Sequence, residues 1–243
     1  VVWFASIIAA VLYALGTATF VVNGLAAGLE AFGVGSPDWL GRPGILLPTA
    51  LLATLASAFV LVRSSSGGGS AVSVAKVVVF AVLIVGGAWV GLRTSPPVVE
   101  RMTPFFPGGA SGFFQAMGYT FIALQGFDLV AAVAGEVKDP RKTLPRAMLI
   151  SLGVALVVYL PLLVVVIVLG VNPGETIQAL ATANPDTVVA LAARHYLGVP
   201  GFWLVVAAGL LSMFSALLAN VYAASRIAQA MARDRTLPAS PPR

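Results

Sequence analysis

The chain of 243 residues has no cysteine, a single histidine and only 9% charged residues. Without cysteine there is no disulfide framework, no thiol nucleophile and no thiolate metal site, although the compartment stays open. The one histidine, His195, stands beside Arg194 and Tyr196 in a stretch that reads as a solvated outer loop. No second histidine and no acid pair accompany it, so neither a metal centre nor a hydrolase constellation can be assembled. No enzyme and no cofactor are implied. A soluble globule carries about 25% charged residues, and this chain has far too few to close a polar surface. Its net charge of +5 comes from cations in loops between apolar runs. No basic, aromatic-interleaved face exists, which excludes nucleic acid as a partner.

What the chain does have is hydrophobic length: 59% apolar residues and a mean hydropathy of +0.98. Runs of about 20 apolar residues are long enough to cross roughly 30 Å of hydrocarbon. The fold class is therefore an all-α integral membrane bundle. Hydropathy and breakers mark six spans, at about 1–31, 45–62, 71–92, 109–135, 144–171 and 200–224, in a single transmembrane domain. A Gly33 to Pro43 loop ends the first, Arg63 the second, and the Ser64 to Ser70 segment is a flexible connection. Pro96 and Pro97 break the chain after the third span. Pro145 falls in the first turn of the fifth, where a missing amide costs least, and Pro161 predicts a kink in its middle. The sixth span is expected to continue as helix towards Asp234. Residues 174–198 are too polar to cross; within them Thr187 to Ala193 suits a short helix lying on the bundle, and the segment reads as an extracellular lid. Val1 to Phe32 lacks a charged n-region and is too long for the h-region of a cleavable leader. With no initiator methionine and an end at Pro241, Pro242, Arg243, the chain reads as a piece of a longer protein.

Charge asymmetry gives an orientation. One side holds Arg63, Lys138, Arg141, Lys142, Arg146, Arg226, Arg233, Arg235 and Arg243. The other holds Arg42, Arg93, Arg101 and Arg194 among the acids Glu30, Asp38, Glu100, Glu175 and Asp186. Excess lysine and arginine marks the cytoplasm, so both ends are expected there, in a cell (inner) membrane.

The fourth span is interrupted at Gln125, Gly126, Phe127 and Asp128. Lipid offers nothing to satisfy free backbone groups, so a glycine beside a carboxylate at mid-depth is expected only where protein or a wet cavity surrounds it. Gly126 lets the backbone leave the helical ladder, and the freed amides would suit a substrate carboxylate; tight helix packing is the alternative reason for a glycine there. Asp128 reads as the cap of the second half-helix in preference to a proton acceptor. Lys76 is a cation inside the third span. Either it snorkels to the cytoplasmic face, or it lies between helices and replaces a coupling cation. Glu136 meets the basic loop, where pairing with Arg141, Arg146 or Arg226 would latch the cytoplasmic side. Ser212 and Ser215 share nearly one face of the sixth span, with Asn220 further along; such hydroxyls usually bond back to their own helix.

Phe121, Ile122, Ala123, Leu124, Gln125, Gly126, Phe127, Asp128, then Gly135 to Pro140 and Leu144, Pro145, Arg146, Ala147, resemble the sixth helix and following loop of amino acid permeases of the amino acid-polyamine-organocation superfamily. Ser225, Arg226, Ile227, then Ala230 to Asp234, Leu237 and Pro238, resemble the end of that family's eighth helix. The resemblance covers the whole chain. It implies helices three to eight of a LeuT-like inverted-repeat transporter, with the first two helices absent and the fourth helix of the chain discontinuous. Phe121 to Gly126 then fall at the substrate site, with Ala123 to Gly126 as the unwound part. Lys76 matches a lysine that occupies a sodium position in sodium-independent members, and Ser212 the helix-eight position facing it. Residues 174–198 resemble the extracellular loop that covers the site. The sequence departs from the pattern in four places, Arg235 among them: Ile122 stands where an aromatic gate is common, Gln125 is polar where bulky apolar residues are usual, and Gly135 with Glu136 replaces paired glutamates. Arg235 takes the place of a glycine. The implied function is secondary transport of amino acids or related amines across the cytoplasmic membrane, proton-linked or by exchange. Its partners are the small-molecule substrate, the bilayer and protons. A non-transporting sensor or partner subunit on the same scaffold is the other reading.

Overall fold

A computed structural model describes residues 2–35, 37, 39–40, 43–63, 69–94, 102, 106, 108–123, 137–172 and 174–234, with the backbone alone at 69–71 and 121–123. Among these residues all regular structure is helical: α1 Val2–Ala31, α2 Pro43–Arg63, α3 Gly69–Gly91, α4 Gly109–Ala123, α5 Pro140–Leu169, α6 Ile177–Ala183 and α7 Val188–Arg233. Five of them, α1, α2, α3, α5 and α7, are long and apolar enough to cross a membrane. Only the first 15 residues of the expected fourth span, α4, are described. Its continuation through Leu124 to Glu136, including the expected interruption, lies outside the described residues.

The helices end where the local chemistry tells them to. Behind α1, Gly33 takes φ +74, and the amides of Gly33 and Val34 donate to the carbonyls of Glu30 and Leu29 at 3.0 Å, so the last carbonyls are satisfied before the chain turns. Arg63 closes α2 with its guanidinium 5.1 Å above the Phe59 ring. A cation there also complements the negative end of the helix dipole. Arg93, just past α3, stacks at 4.3 Å over Trp89 in the same way.

The start of α5 corrects one expectation. The helix begins at Pro140, so Pro145 lies in its second turn and Pro140 holds the first position, where a fixed φ and a missing amide are harmless. Asp139 before it has φ +48, the positive-φ non-glycine residue of the described chain, and its carbonyl accepts from the amides of Lys142 and Thr143 at 3.0 Å. Asp is among the residues that tolerate this region best.

Two compact units are distinguishable. The first comprises residues 1–72, 127–148 and 209–243. Its core is Ala14, Ala18, Ala50 and Leu217, flanked by Tyr13, Leu46 and Phe214. Small residues at this centre let backbones approach. Lipid tails are as apolar as leucine, so helices in a bilayer gain from close packing more than from burial itself. Gly16 faces the Met213 sulfur, and Gly209 faces the Phe20 ring with no room for a β-carbon. Hydroxyls on these helices return to their own backbone: Thr17 to the Tyr13 carbonyl at 2.7 Å and the fully buried Ser57 to that of Thr54 at 2.7 Å.

The second unit comprises residues 73–126 and 149–208. Leu83 is buried in it, as are Val165, Val166, Val168 and Leu169 at the end of α5. Gly87 of α3 meets Val165, and Gly170 just beyond α5 meets Ala192 of α7. Each unit exposes apolar side chains: Phe4 at 64% and Leu52 at 65% in the first, Val85 at 68% and Val157 at 73% in the second. Such a surface is untenable in water and suits lipid.

Candidate functional site

Phe121, Ile122 and Ala123 form the last turn of α4 as described, while Leu124, Gln125, Gly126, Asp128 and Glu136 lie outside the described residues. The proposed latch of Glu136 against Arg141, Arg146 or Arg226 falls there too. Arg226 itself is held within α7. Its guanidinium sits 5.0 Å from the Tyr222 ring centroid, and one of its amino groups donates to the Gln229 side-chain oxygen at 3.3 Å. These neighbours are four residues before it and three after, so the helix itself sets the arginine's direction.

Lys76 lies two turns into α3 and is half-buried, with the exposed apolar residues Val74, Val77 and Val78 around it in sequence. Ser212 lies in α7 and is also half-buried. The two belong to different compact units, and each is described within its own. Asn220, two turns further along α7, is buried and donates to the Ala216 carbonyl at 2.9 Å, the back-bonding expected of polar groups in apolar helices.

Between α5 and α7 the chain is more structured than its polarity suggests. α6 spans seven residues and is capped by Thr176, whose hydroxyl accepts from the Ala179 amide at 3.3 Å. The Asn184 amide donates to the Leu180 carbonyl at 2.9 Å at the other end. The expected short helix over Thr187 to Ala193 is the beginning of α7, which starts at Val188. His195 accordingly sits on a helix, exposed, and not in a loop. That helix is interrupted at Gly198, with φ 70 and ψ −159. We call residues 188–197 the arm of α7 and the remainder, from Val199, its span.

The arm is amphipathic. Ala190, Ala192, Ala193 and Tyr196 are buried, whereas Arg194 and His195 face outward. Sequence reasoning passed over Tyr196, because a tyrosine beside a histidine and an arginine reads as surface. The Gly198-Val199-Pro200 triplet was the available signal for a break, since Pro200 removes one helical donor and glycine tolerates the required backbone.

An open cleft of about 440 Å³ lies between α1, α2 and the end of α7 in the first unit, lined by Ile7, Ala10, Ala14, Leu47, Ala50 and Val221, among others. Among the described residues no charged side chain lines it. An amino acid brings an ammonium and a carboxylate, and this cleft has nothing to desolvate them against.

Long apolar helices with lipid-facing surfaces and packed glycine seams define a multi-pass membrane protein. The amino acid permease family model matches residues 1–241, and the chain belongs to that family, one of carriers and not of enzymes. It is 32% identical over 236 residues to the branched-chain amino acid permease BcaP of Lactococcus lactis, covering 90% of this chain and 49% of that protein. It is 34% identical to the inner membrane transport protein YbaT of Escherichia coli, covering 67% of this chain and 35% of that protein. With the vacuolar cationic amino acid transporter 2 of Arabidopsis thaliana the identity is 31%, over 73% and 27% of the two chains. The chain thus spans between about a quarter and a half of the length of these relatives.

Proposed function

We propose that this chain serves secondary active transport of amino acids or related amines across the cytoplasmic membrane, with coupling to protons or by exchange. The observation that carries the reading is the family match over residues 1–241. The names of the relatives, a branched-chain amino acid permease and a cationic amino acid transporter, agree with an amino acid substrate and leave its side chain open. In this reading the chain supplies six helices of a LeuT-like inverted repeat, and α4 continues into a break at Ala123 to Gly126 whose free amides take the substrate carboxylate. Asp128 caps the helix beyond the break. Lys76 supplies a fixed or titrating positive charge where other carriers bind a cation, with Ser212 as its partner. Residues 174–198 cover the site from outside, and both chain ends face the cytoplasm.

Reconstitution of the full-length protein into proteoliposomes tests this. Saturable uptake or counterflow of a labelled amino acid or amine is expected. Absence of both, for amino acids, amines and polyamines, overturns it, and binding without flux marks a sensor on a permease scaffold.

A further inference from the structure

The arm of α7 is held by shape more than by polar bonds. Its inner face presents the methyl groups of Ala190, Ala192 and Ala193, all at 2% exposure or less. Gly170 closes against Ala192, and a β-carbon on Gly86 of α3 would meet a Leu197 methyl at 2.8 Å. Among these apolar contacts sits one group that does not belong. Tyr196 is 8% exposed, and its hydroxyl oxygen is buried without a hydrogen-bond partner among the described residues. Buried hydroxyls are nearly always bonded, so each exception calls for a reason.

The junction after the arm supplies one. Gly198 holds a backbone conformation that is essentially restricted to glycine, and Pro200 interrupts the helical ladder two residues later. The arm therefore joins its span through a segment that can absorb a change of backbone angle, as hinges do. Gly198, Val199 and Pro200 are all exposed, so no described residue packed against them blocks such a change. Beside it, a β-carbon on Gly201 would come within 2.5 Å of the Ala193 carbonyl, which shows how tightly the arm folds back on the span.

We propose that the Tyr196 hydroxyl is a built-in counterweight to closure of the arm. In the seated arrangement the ring is buried and contributes packing, while its hydroxyl has lost water and gained nothing. In a lifted arrangement, reached by rotation at Gly198, the hydroxyl regains a partner. Seating is thereby weakened by roughly an order of magnitude in the seated-to-lifted ratio, the scale set by leaving one buried polar group unsatisfied. The apolar face alone would lock the arm; the hydroxyl keeps it reversible.

Tyr196→Phe preserves the ring and removes the hydroxyl, so it isolates this effect. The chain contains no cysteine, and the full-length protein made free of other cysteines can carry single reporters in membranes. Ala193→Cys is shielded when the arm is seated, Ala190→Cys is a second shielded reporter, and His195→Cys is exposed throughout. Maleimide labelling at Ala193→Cys is expected to slow about tenfold when Tyr196→Phe is added, with labelling at His195→Cys unchanged. Ala190→Cys must show the same slowing, and it replaces Ala193→Cys if that variant is not folded. Equal or faster labelling of the shielded reporter in the Tyr196→Phe background overturns the proposal. The readout is accessibility and not flux, so the result stands apart from whether the protein transports amino acids.

Discussion

Gly170, immediately beyond α5, lies so close to Ala192 of the α7 arm that a β-carbon on the glycine would stand 2.5 Å from the alanine β-carbon. It would also overlap the Val166 carbonyl of α5. Neither neighbour is a flexible side-chain end that could swing aside. Gly170→Ala is therefore expected to destabilise the protein by about 1–3 kcal/mol, the usual cost of overpacking, and to expose the arm. Thermal unfolding in detergent reports the first effect, and faster labelling of a cysteine at Ala193 the second. An unchanged melting temperature would show that the arm is not seated on Gly170.

The same reasoning separates glycines by environment. Gly87 of α3 faces Val165 with no room for a methyl group, whereas Gly118 in the middle of α4 has no described residue within 4 Å of its would-be β-carbon. Gly87→Ala should lower stability by about 1–3 kcal/mol. Gly118→Ala should leave it unchanged or raise it by up to about 1 kcal/mol, because alanine is the better helix former. Thermal unfolding of the two variants side by side checks the contrast; equal effects would mean that α3 and α5 do not meet at Gly87.

The helical, membrane-embedded class is legible in the sequence because lipid imposes it. A run such as Leu46 to Val62 can satisfy its backbone in hydrocarbon only as a helix. What escapes such reading depends on neighbours. Pro140 begins α5 because Asp139 adopts a positive φ, a local choice that hydropathy does not register. α6 owes its seven residues to a Thr176 cap inside a segment too polar to resemble a span. The arm is seated where Gly86 of α3 leaves room for Leu197 and Gly170 beyond α5 leaves room for Ala192, and the first of these lies more than a hundred residues away in sequence. For the candidate site, Lys76 stands out as a lone cation in an apolar run. The break near Gly126 was proposed from the residues themselves, and its geometry lies outside the described residues.

Gly198 sits at φ 70 and ψ −159, where a β-carbon collides with the residue's own backbone, although among the described residues only Pro200 approaches it, at 3.8 Å. The expected penalty for Gly198→Ala is thus conformational and of about 1–3 kcal/mol. Since there is space around it, the chain can relieve that strain by moving the arm. Gly198→Ala should consequently increase protease cleavage within 184–198 while leaving the span of α7 protected. Limited proteolysis with mass mapping reads this, and an unchanged digestion pattern would argue that the junction does not act as a hinge.

Lys76 carries the sharpest functional prediction. An ammonium inside an apolar helix costs about 2.5–3.5 kcal/mol at mid-membrane and less when it snorkels, so replacing it by alanine should not threaten folding. If its charge stands in for a coupling cation, Lys76→Ala removes proton-driven uptake by at least tenfold while the protein still elutes as a folded species. Lys76→Arg keeps the charge but holds its proton at every accessible pH. It is expected to retain substrate binding and to lose the dependence of uptake on a pH gradient. Uptake measured in proteoliposomes with and without an imposed gradient separates these outcomes. A Lys76→Ala protein that accumulates substrate at the wild-type rate would return Lys76 to the role of an interfacial anchor.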